Sequence, residues 1–326
     1  MGYASLWIFL ILFGISLCAE LIANDKPLVV RYQGQFYFPI IKSQPETVFG
    51  GDFATPTDFL DPDIRHSITS NGNWAIYPPI PYSYETLNYF SKVPNPAPPS
   101  LDNWLGTDDL GRDIFTRVTF GIRLSLTVAI VVTAISVLVG VTLGGIAGYF
   151  GGWVDTLISR FIDTWQVIPF VLIGFAIITV FGSSFWVIVA ALVFTGWYST
   201  TRLFRASVMQ VKSLEYIEAA RATGATTKRI ILRHIGPNAI PPIIVVLAFS
   251  VAGAILSESV YAFLGVGFRE PTPSLGVMIS SSRNYLTDKP FVFFIPGSIL
   301  VLLTLSIVLI GDGLRDALDP KLRGVK

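Results

Sequence analysis

Charge is scarce in this sequence. Asp, Glu, Lys and Arg make up 14% of its 326 residues, where a soluble domain carries about a quarter. That shortage argues against an ordinary water-facing globule. A net charge of +1 says nothing by itself about nucleic acid, for which the distribution of charge matters more; no nucleic-acid partner is expected. Cysteine is limited to Cys18, so an intrachain disulfide is impossible and a cysteine metal site is not expected. The two histidines, His66 and His234, lie far apart without ligand-type neighbours, so neither is read as metal-binding. No G-x-x-x-x-G-K-[ST] run occurs, and with it goes ATP binding through a P-loop. No Ser-His-Asp order or catalytic carboxylate pair stands out either. The chain is therefore not read as an enzyme, and no cofactor is expected in it.

What is present is apolar: 52% of residues are hydrophobic and the mean hydropathy is +0.61. The apolar residues are grouped into runs near the ~20 residues that cross a bilayer. Six spans are expected, at about 4–22, 124–148, 161–181, 184–204, 239–263 and 291–311. A backbone inside hydrocarbon must satisfy its own hydrogen bonds, so these are read as helices. The fold class is thus an all-α polytopic membrane protein, with six transmembrane helices and an irregular extracytoplasmic insertion after the first. Phe181-Gly182-Ser183-Ser184 is short enough to make the third and fourth spans a hairpin.

The first run lacks a preceding basic residue, and Leu17 spoils the lipoprotein cleavage box at "ISLC". It is read as a retained span rather than a signal peptide; a start upstream of Met1 is compatible with this. Arg202, Arg205, Lys212, Arg221, Lys228, Arg229 and Arg233 crowd the stretch between the fourth and fifth spans, and Arg315, Lys321, Arg323 and Lys326 follow the sixth. Positive residues favour the cytoplasm, so both termini are expected there and residues 24–113 outside. The domain reading is 1–23 first span, 24–113 extracytoplasmic insertion, and 114–326 a five-helix core with a cytoplasmic loop at 205–238. Segment 24–113 carries "YPPIPYSY" and "VPNPAPPS", a composition of turns, extended stretches and short strands.

Gly140, Gly144 and Gly148 recur every four residues on the second span. They line one face and allow another helix to approach closely. Arg202 and Arg205 are expected to snorkel to the inner surface. Asp312, Arg315, Asp316 and Asp319 are expected at a helix end there. "GTDDLGRD", residues 106–113, leaves two readings: a calcium site built from oxygen ligands, or a folded turn in which Arg112 pairs with a neighbouring Asp. Glu258 lies in the fifth span, where an acid must face the bundle or the mouth. It is a candidate for binding a substrate amine, for holding Arg269, or for pairing with a second subunit.

The polar insert "EYIEAARATGATTKRIILRHIGPNAIPP", residues 215–242, interrupts two apolar runs. Ser213 is expected to cap a helix through 214–223, with Glu215 near its positive end. Gly224 suits a left-handed helix end. A second helix is expected through 226–234, stopping before Pro237. Glu218 and Arg221, three apart, are placed to face one another. The residues allow two readings: a docking knob, or an amphipathic loop lying on anionic lipid.

"EAARATG", with Pro237 thirteen residues past the glycine, resembles the EAA loop of ABC-importer permeases. Gly236 stands where that pattern usually has leucine. "NWLGTDDLGRDIFTRVTFGIRLSL", "SESVYAFLGVGFREPTPSLG" and "GDGLRDALDPKLR" resemble the peptide and nickel permeases, C-type subunit. Leu275 replaces an expected tryptophan. Segment 24–113 is similar to the insertion of microcin C and oligopeptide permeases. The resemblance implies a permease subunit importing di- or oligopeptides, with nickel or an antimicrobial peptide as alternative cargo. It implies that Glu218, Ala219, Ala220, Arg221, Gly224 and Pro237 engage an ATPase. Its partners would be a second homologous permease, two ATPase domains, an extracytoplasmic binding protein and membrane lipid. The competing readings are a self-contained channel or secondary transporter and, last, a membrane-anchored enzyme.

Overall fold

The computed structural model of the protein describes residues 2–88 and 93–318. The chain divides into two compact units. One comprises Met1–Phe9, Ser125–Arg269 and Val301–Lys326, the other Leu10–Leu124 and Glu270–Leu300.

The first apolar run forms α1 (Gly2–Leu17) and a further turn, α2 (Ala19–Ile22). The break between them is slight: the Cys18 N–H still bonds to the Gly14 carbonyl, and the Ile22 N–H to that of Cys18, both at 3.1 Å. With 16 residues, α1 rises about 24 Å, short of the ~30 Å hydrocarbon core.

Segment 24–113 is more ordered than its composition suggests. Strand β1 (Val29–Tyr32) pairs antiparallel with β2 (Gln35–Tyr37). Gln33 and Gly34, at φ +50° and +82°, make the two-residue turn that matches strand twist. Helix α3 (Pro62–Thr69) follows, with Asp61 accepting the Asp63 N–H at 2.8 Å and Pro62 in its first turn. Strand β3 (Trp74–Ile76) then pairs with the other edge of β1, giving the order β2-β1-β3. Val30, Phe49, Phe59, Ile64 and Ile68 form a buried core, in which Phe49 meets Tyr32, Tyr37 and Phe59 edge-on. The fold is therefore mostly helical with a small sheet, not all-α.

Helix α4 (Ile114–Phe150) has 37 residues and begins ten residues before the apolar run that announced it. The third expected span is not one straight helix. It is α5 (Gly152–Val167) and α6 (Phe170–Phe181), bent by 79°. The cause is local: Ile168 precedes Pro169 and is extended, at φ −82° and ψ 123°, because a residue before proline is pushed out of the helical region. Gly182, at φ +87°, turns the chain into α7 (Phe185–Lys212).

The polar insert folds as α8 (Glu215–Ala222), α9 (Thr227–Arg229), a π-helix (Ile230–Ile235) and α10 (Gly236–Ala239), and α11 (Pro241–Phe263), α12 (Leu275–Ser282) and α13 (Phe291–Leu318) complete the described chain. Among the described residues four helices are long and apolar enough to cross a membrane: α4, α7, α11 and α13. The bent pair makes up to five. The expected count of six is reached only by adding the short α1.

The glycine face of α4 lies against α7. A Cβ built on Gly140 would fall 2.6 Å from the Thr200 Cβ; on Gly144, 2.5 Å from the Thr201 carbonyl; on Gly148, 2.8 Å from the Arg205 carbonyl. Backbones this close leave no room for a side chain.

Candidate functional site

Ser213 does not cap α8. Its hydroxyl donates to the Gln210 carbonyl at 2.9 Å, helping to end α7, and Leu214 takes the cap position at φ −81° and ψ 142°. One residue fixes α8 to the protein. Ile217 is completely buried among Val208, Val211, Ile230 and Ile235. The opposite face, with Glu215, Glu218, Ala219, Arg221 and Ala222, is exposed, and Ala220 is half-buried. The helix ends in a Schellman motif. Gly224 sits at φ +80°, its N–H bonds to the Arg221 carbonyl, and the Ala225 N–H reaches back to Ala220. No Cβ clash surrounds Gly224; glycine is needed there for its backbone alone.

Glu218 and Arg221 do not pair. Among the described residues no ion pair joins them. Arg221 instead lies 5.9 Å from the centroid of the Tyr149 ring, which Lys212 also covers at 5.5 Å. The pull of an aromatic face on a cation accounts for that choice, and it leaves the Glu218 carboxylate facing solvent.

The second helix of the insert does not stop before Pro237. Thr226 caps α9 by accepting the Arg229 N–H at 3.4 Å, and the chain stays helical through the π turn, Gly236 and Pro237 to Ala239. Pro237 has no N–H for the carbonyl four residues back. The π turn relieves this by widening the ladder, with the Gly236 N–H bonded to the Ile231 carbonyl. It also accounts for glycine at 236: a Cβ there would come within 3.0 Å of the Ile231 oxygen.

A second polar site gathers around residues 103–117. Arg112 Nε donates to Asp108 Oδ2 at 2.7 Å, and its Nη1 pairs with Glu270. Arg117, 1% exposed, reaches Glu270 at 3.1 Å and Asp108 at 3.5 Å. Two guanidinium groups thus meet two carboxylates. Asp113 accepts the Thr116 N–H at 2.7 Å and the Asn103 amide at 2.9 Å, and so caps α4. Burial pushes the Asp113 carboxyl above its ordinary pKa, against the Asn103 and Thr116 hydrogen bonds. Asp109 is raised too, first by desolvation and then by the Asp108 charge. Asp108 and Asp113 are engaged within the protein, and among the described residues no group of three or more His, Cys, Asp or Glu is placed to hold an ion. The folded turn in which Arg112 pairs with a neighbouring Asp is present, through Asp108. The sequence pointed to a neighbouring Asp for Arg112; Glu270, 158 residues on, carried no local signal.

Arg202 and Arg205 do not simply reach for water. Arg202 pairs with Asp163 at 2.5 Å and Arg205 with Asp155, both acids on α5. Glu258 is fully buried on α11, with the Ser125 hydroxyl 3.4 Å from its Oε2; Arg269 is exposed. Asp312, Arg315 and Asp316 lie on the exposed end of α13. Asp319, Lys321, Arg323 and Lys326 fall outside the described residues. An unforeseen pair joins Glu20 to Arg123 at 2.5 and 2.7 Å.

The sequence profile described as "Binding-protein-dependent transport system inner membrane component" matches residues 140–324. The chain belongs to this family. It is a membrane-spanning permease subunit of an ABC importer, allied to the peptide-type permeases. The inner membrane ABC transporter permease protein YejE of Escherichia coli (strain K12) is 40% identical to it over 98% of this chain and 93% of that protein. The peptidoglycan transport system permease protein YejE of Agrobacterium fabrum is 36% identical over 98% and 90%. The dipeptide transport system permease protein DppC of Alkalihalophilus pseudofirmus is 40% identical, over 76% of this chain and 82% of that protein. A solved chain of the MetNI methionine ABC transporter, in an inward-facing form, superposes with a TM-score of 0.53 at 18% identity, over 63% of this chain and 98% of that chain. That likeness speaks for the fold alone.

Proposed function

We propose that this permease imports di- or oligopeptides, driven by ATP hydrolysis on separate subunits that seat on α8. The observation that carries the reading is the build of α8. Its apolar side holds one fully buried anchor, Ile217. Its outward side is polar and small, with Glu218, Ala219, Arg221 and Gly224 exposed. A monomer gains nothing from such a knob; a partner with a matching groove does. Ala220 and Pro237 complete the coupling set. ATP binding draws two ATPase domains together, moves α8, and tilts the helices between inward- and outward-open states, a two-state element biased by ligand.

The remaining assignments follow. A second homologous permease completes the membrane unit, and an extracytoplasmic binding protein delivers cargo. The short α1 counts as a sixth span, so both termini lie in the cytoplasm and residues 24–113 outside. Gly140, Gly144 and Gly148 make the seam along which α4 and α7 stay in register. Glu258 and Arg269 belong to the cargo path or its mouth. Peptidoglycan-derived peptides are a second reading of the cargo, favoured by the name of the Agrobacterium relative.

The test is uptake of labelled peptides of two to five residues, and of muropeptides, into cells with and without this chain. Loss of peptide uptake on deletion, restored by the chain, supports the reading. Uptake that persists when the ATPase genes are removed points to a self-contained carrier. Loss of muropeptide uptake alone selects the second cargo.

A further inference from the structure

Hydroxyl side chains inside apolar helices normally bond back to their own carbonyls. Thr142, Thr195, Thr201 and Ser207 do so here, each to the carbonyl four residues earlier, at 2.7 to 3.1 Å. Thr133 and Ser136 do not. They sit one turn apart on α4, 4% and 7% exposed, and neither hydroxyl has a hydrogen-bond partner among the described residues. Both line the same cavity of about 270 Å³, walled by α4, α7, α11 and Phe170 at the start of α6. Leaving a buried hydroxyl unmet is costly, and two together at one cavity point to an occupant.

The lining narrows the occupant's chemistry. It holds no Asp, Glu, Lys or Arg; its polar groups are hydroxyls, including Ser250 and Ser257 of α11. Such a wall cannot select a charge. It can hydrogen-bond neutral amides. Two glycines keep the space open: a Cβ on Gly253 would meet nothing within 4 Å, and one on Gly196 only the Ser136 hydroxyl at 3.7 Å. A cavity this size holds far more than one water.

We propose that this cavity is a cargo station within the permease. There a turn about χ1 brings the Thr133 and Ser136 hydroxyls, covered as they stand, onto the main-chain amides of a passing peptide, without regard to its side-chain charge. The inference rests on the peptide reading above.

The test uses the complete importer, reconstituted with its ATPases, second permease and binding protein, and trialanine as cargo. Thr133→Val and Ser136→Ala remove the hydroxyls and keep the shape. Each is expected to lower uptake at subsaturating trialanine by roughly threefold to tenfold, as for one lost hydrogen bond. The melting temperature of the complex should stay level or rise, because an unmet buried hydroxyl is gone; a merely structural role would lower it. Thr133→Ser and Ser136→Thr keep a hydroxyl and should stay within about twofold of the parent. Gly253→Leu adds bulk at a position where a Cβ meets nothing within 4 Å, and should abolish uptake while the complex still assembles. Tripeptides with Lys or Glu at the centre should lose uptake in the hydroxyl variants by the same factor as trialanine.

Parent-like uptake in Thr133→Val, Ser136→Ala and Gly253→Leu would overturn the station. So would equal losses in the hydroxyl-keeping and hydroxyl-lacking variants. If the parent importer itself takes up no peptide, the fault lies in the peptide reading, and this inference falls with it.

Discussion

Two short polar stretches, each built around glycine with acids and arginine close by, have opposite fates. In residues 106–117, Asp108, Arg112 and Arg117 are buried, and the two arginines join Asp108 to Glu270. In residues 215–224, Glu215, Glu218 and Arg221 are exposed, and among the described residues no ion pair holds them. The first stretch spends its charges within the protein. The second presents them, and is held by a single apolar anchor. Similar composition therefore serves as a clasp in one place and as a contact surface in the other, and what separates them is whether an opposite charge elsewhere in the chain has folded onto them.

The largest effect is expected in the clasp. Arg117→Ala leaves Asp108 with one guanidinium instead of two in a buried setting, and removing one partner of a buried pair costs about 3–5 kcal/mol. Partial exposure of Glu270 puts this variant at the low end, about 3 kcal/mol. Denaturation in detergent, followed by intrinsic fluorescence, measures it. A loss under about 1 kcal/mol would mean that the clasp is no more than a surface ion pair.

Next comes the anchor of α8. Ile217→Ala removes a fully buried side chain and is expected to cost about 2–3 kcal/mol, confined to the insert. Limited proteolysis should cut near residues 213–225 well before the rest of the chain opens. If the cut falls elsewhere first, Ile217 is not what holds the knob.

A smaller effect separates the two kinds of charge. Glu218→Gln on the exposed face should change stability by less than about 0.5 kcal/mol, while Asp108→Asn should cost several times more, by the same denaturation assay. Equal losses would erase the distinction between clasp and surface.

The smallest effect is a pH slope. Asp109 has a raised pKa, so the folded state holds this proton more tightly than the unfolded chain does. Its favourable contribution is present below the ordinary carboxylate value of about 3.9 and is lost as pH rises through the raised value. Asp109→Asn should match the parent at acid pH and gain about a few tenths of a kcal/mol near neutrality, since the side chain is exposed enough for solvent to screen it. A gain at acid pH instead would reverse the sign of the argument.

Much of the fold was legible because long apolar runs in a charge-poor chain have few solutions. Helices α4, α7, α11 and α13 lie where those runs are. The break at Ile168–Pro169 was also written in the chain, in a proline within the third run, and was overridden by the strength of the apolar signal. The helical passage through Pro237 was not legible, because it depends on a π turn that spends an extra residue. The sheet at 29–76 was expected only as short strands, since the Trp74 strand pairs across more than 40 intervening residues with β1. Within the site, the Gly224 bend could be read from one residue type, but the Ser213 cap failed because its hydroxyl had a nearer acceptor. The clasp partner Glu270 and the cavity holding Thr133 and Ser136 required elements distant in sequence to converge.

Whether an ATPase seats on the exposed face of α8 is decided by co-purification. The chain, tagged and extracted in a mild detergent from its native membrane, is compared with Ala219→Asp, a change on the exposed face that leaves Ile217 in place. ATPase subunits are expected to accompany the parent and to be lost from the variant, while the second permease stays with both and their melting temperatures agree. ATPase retained on a variant folded as well as the parent would mean that it seats elsewhere than on α8.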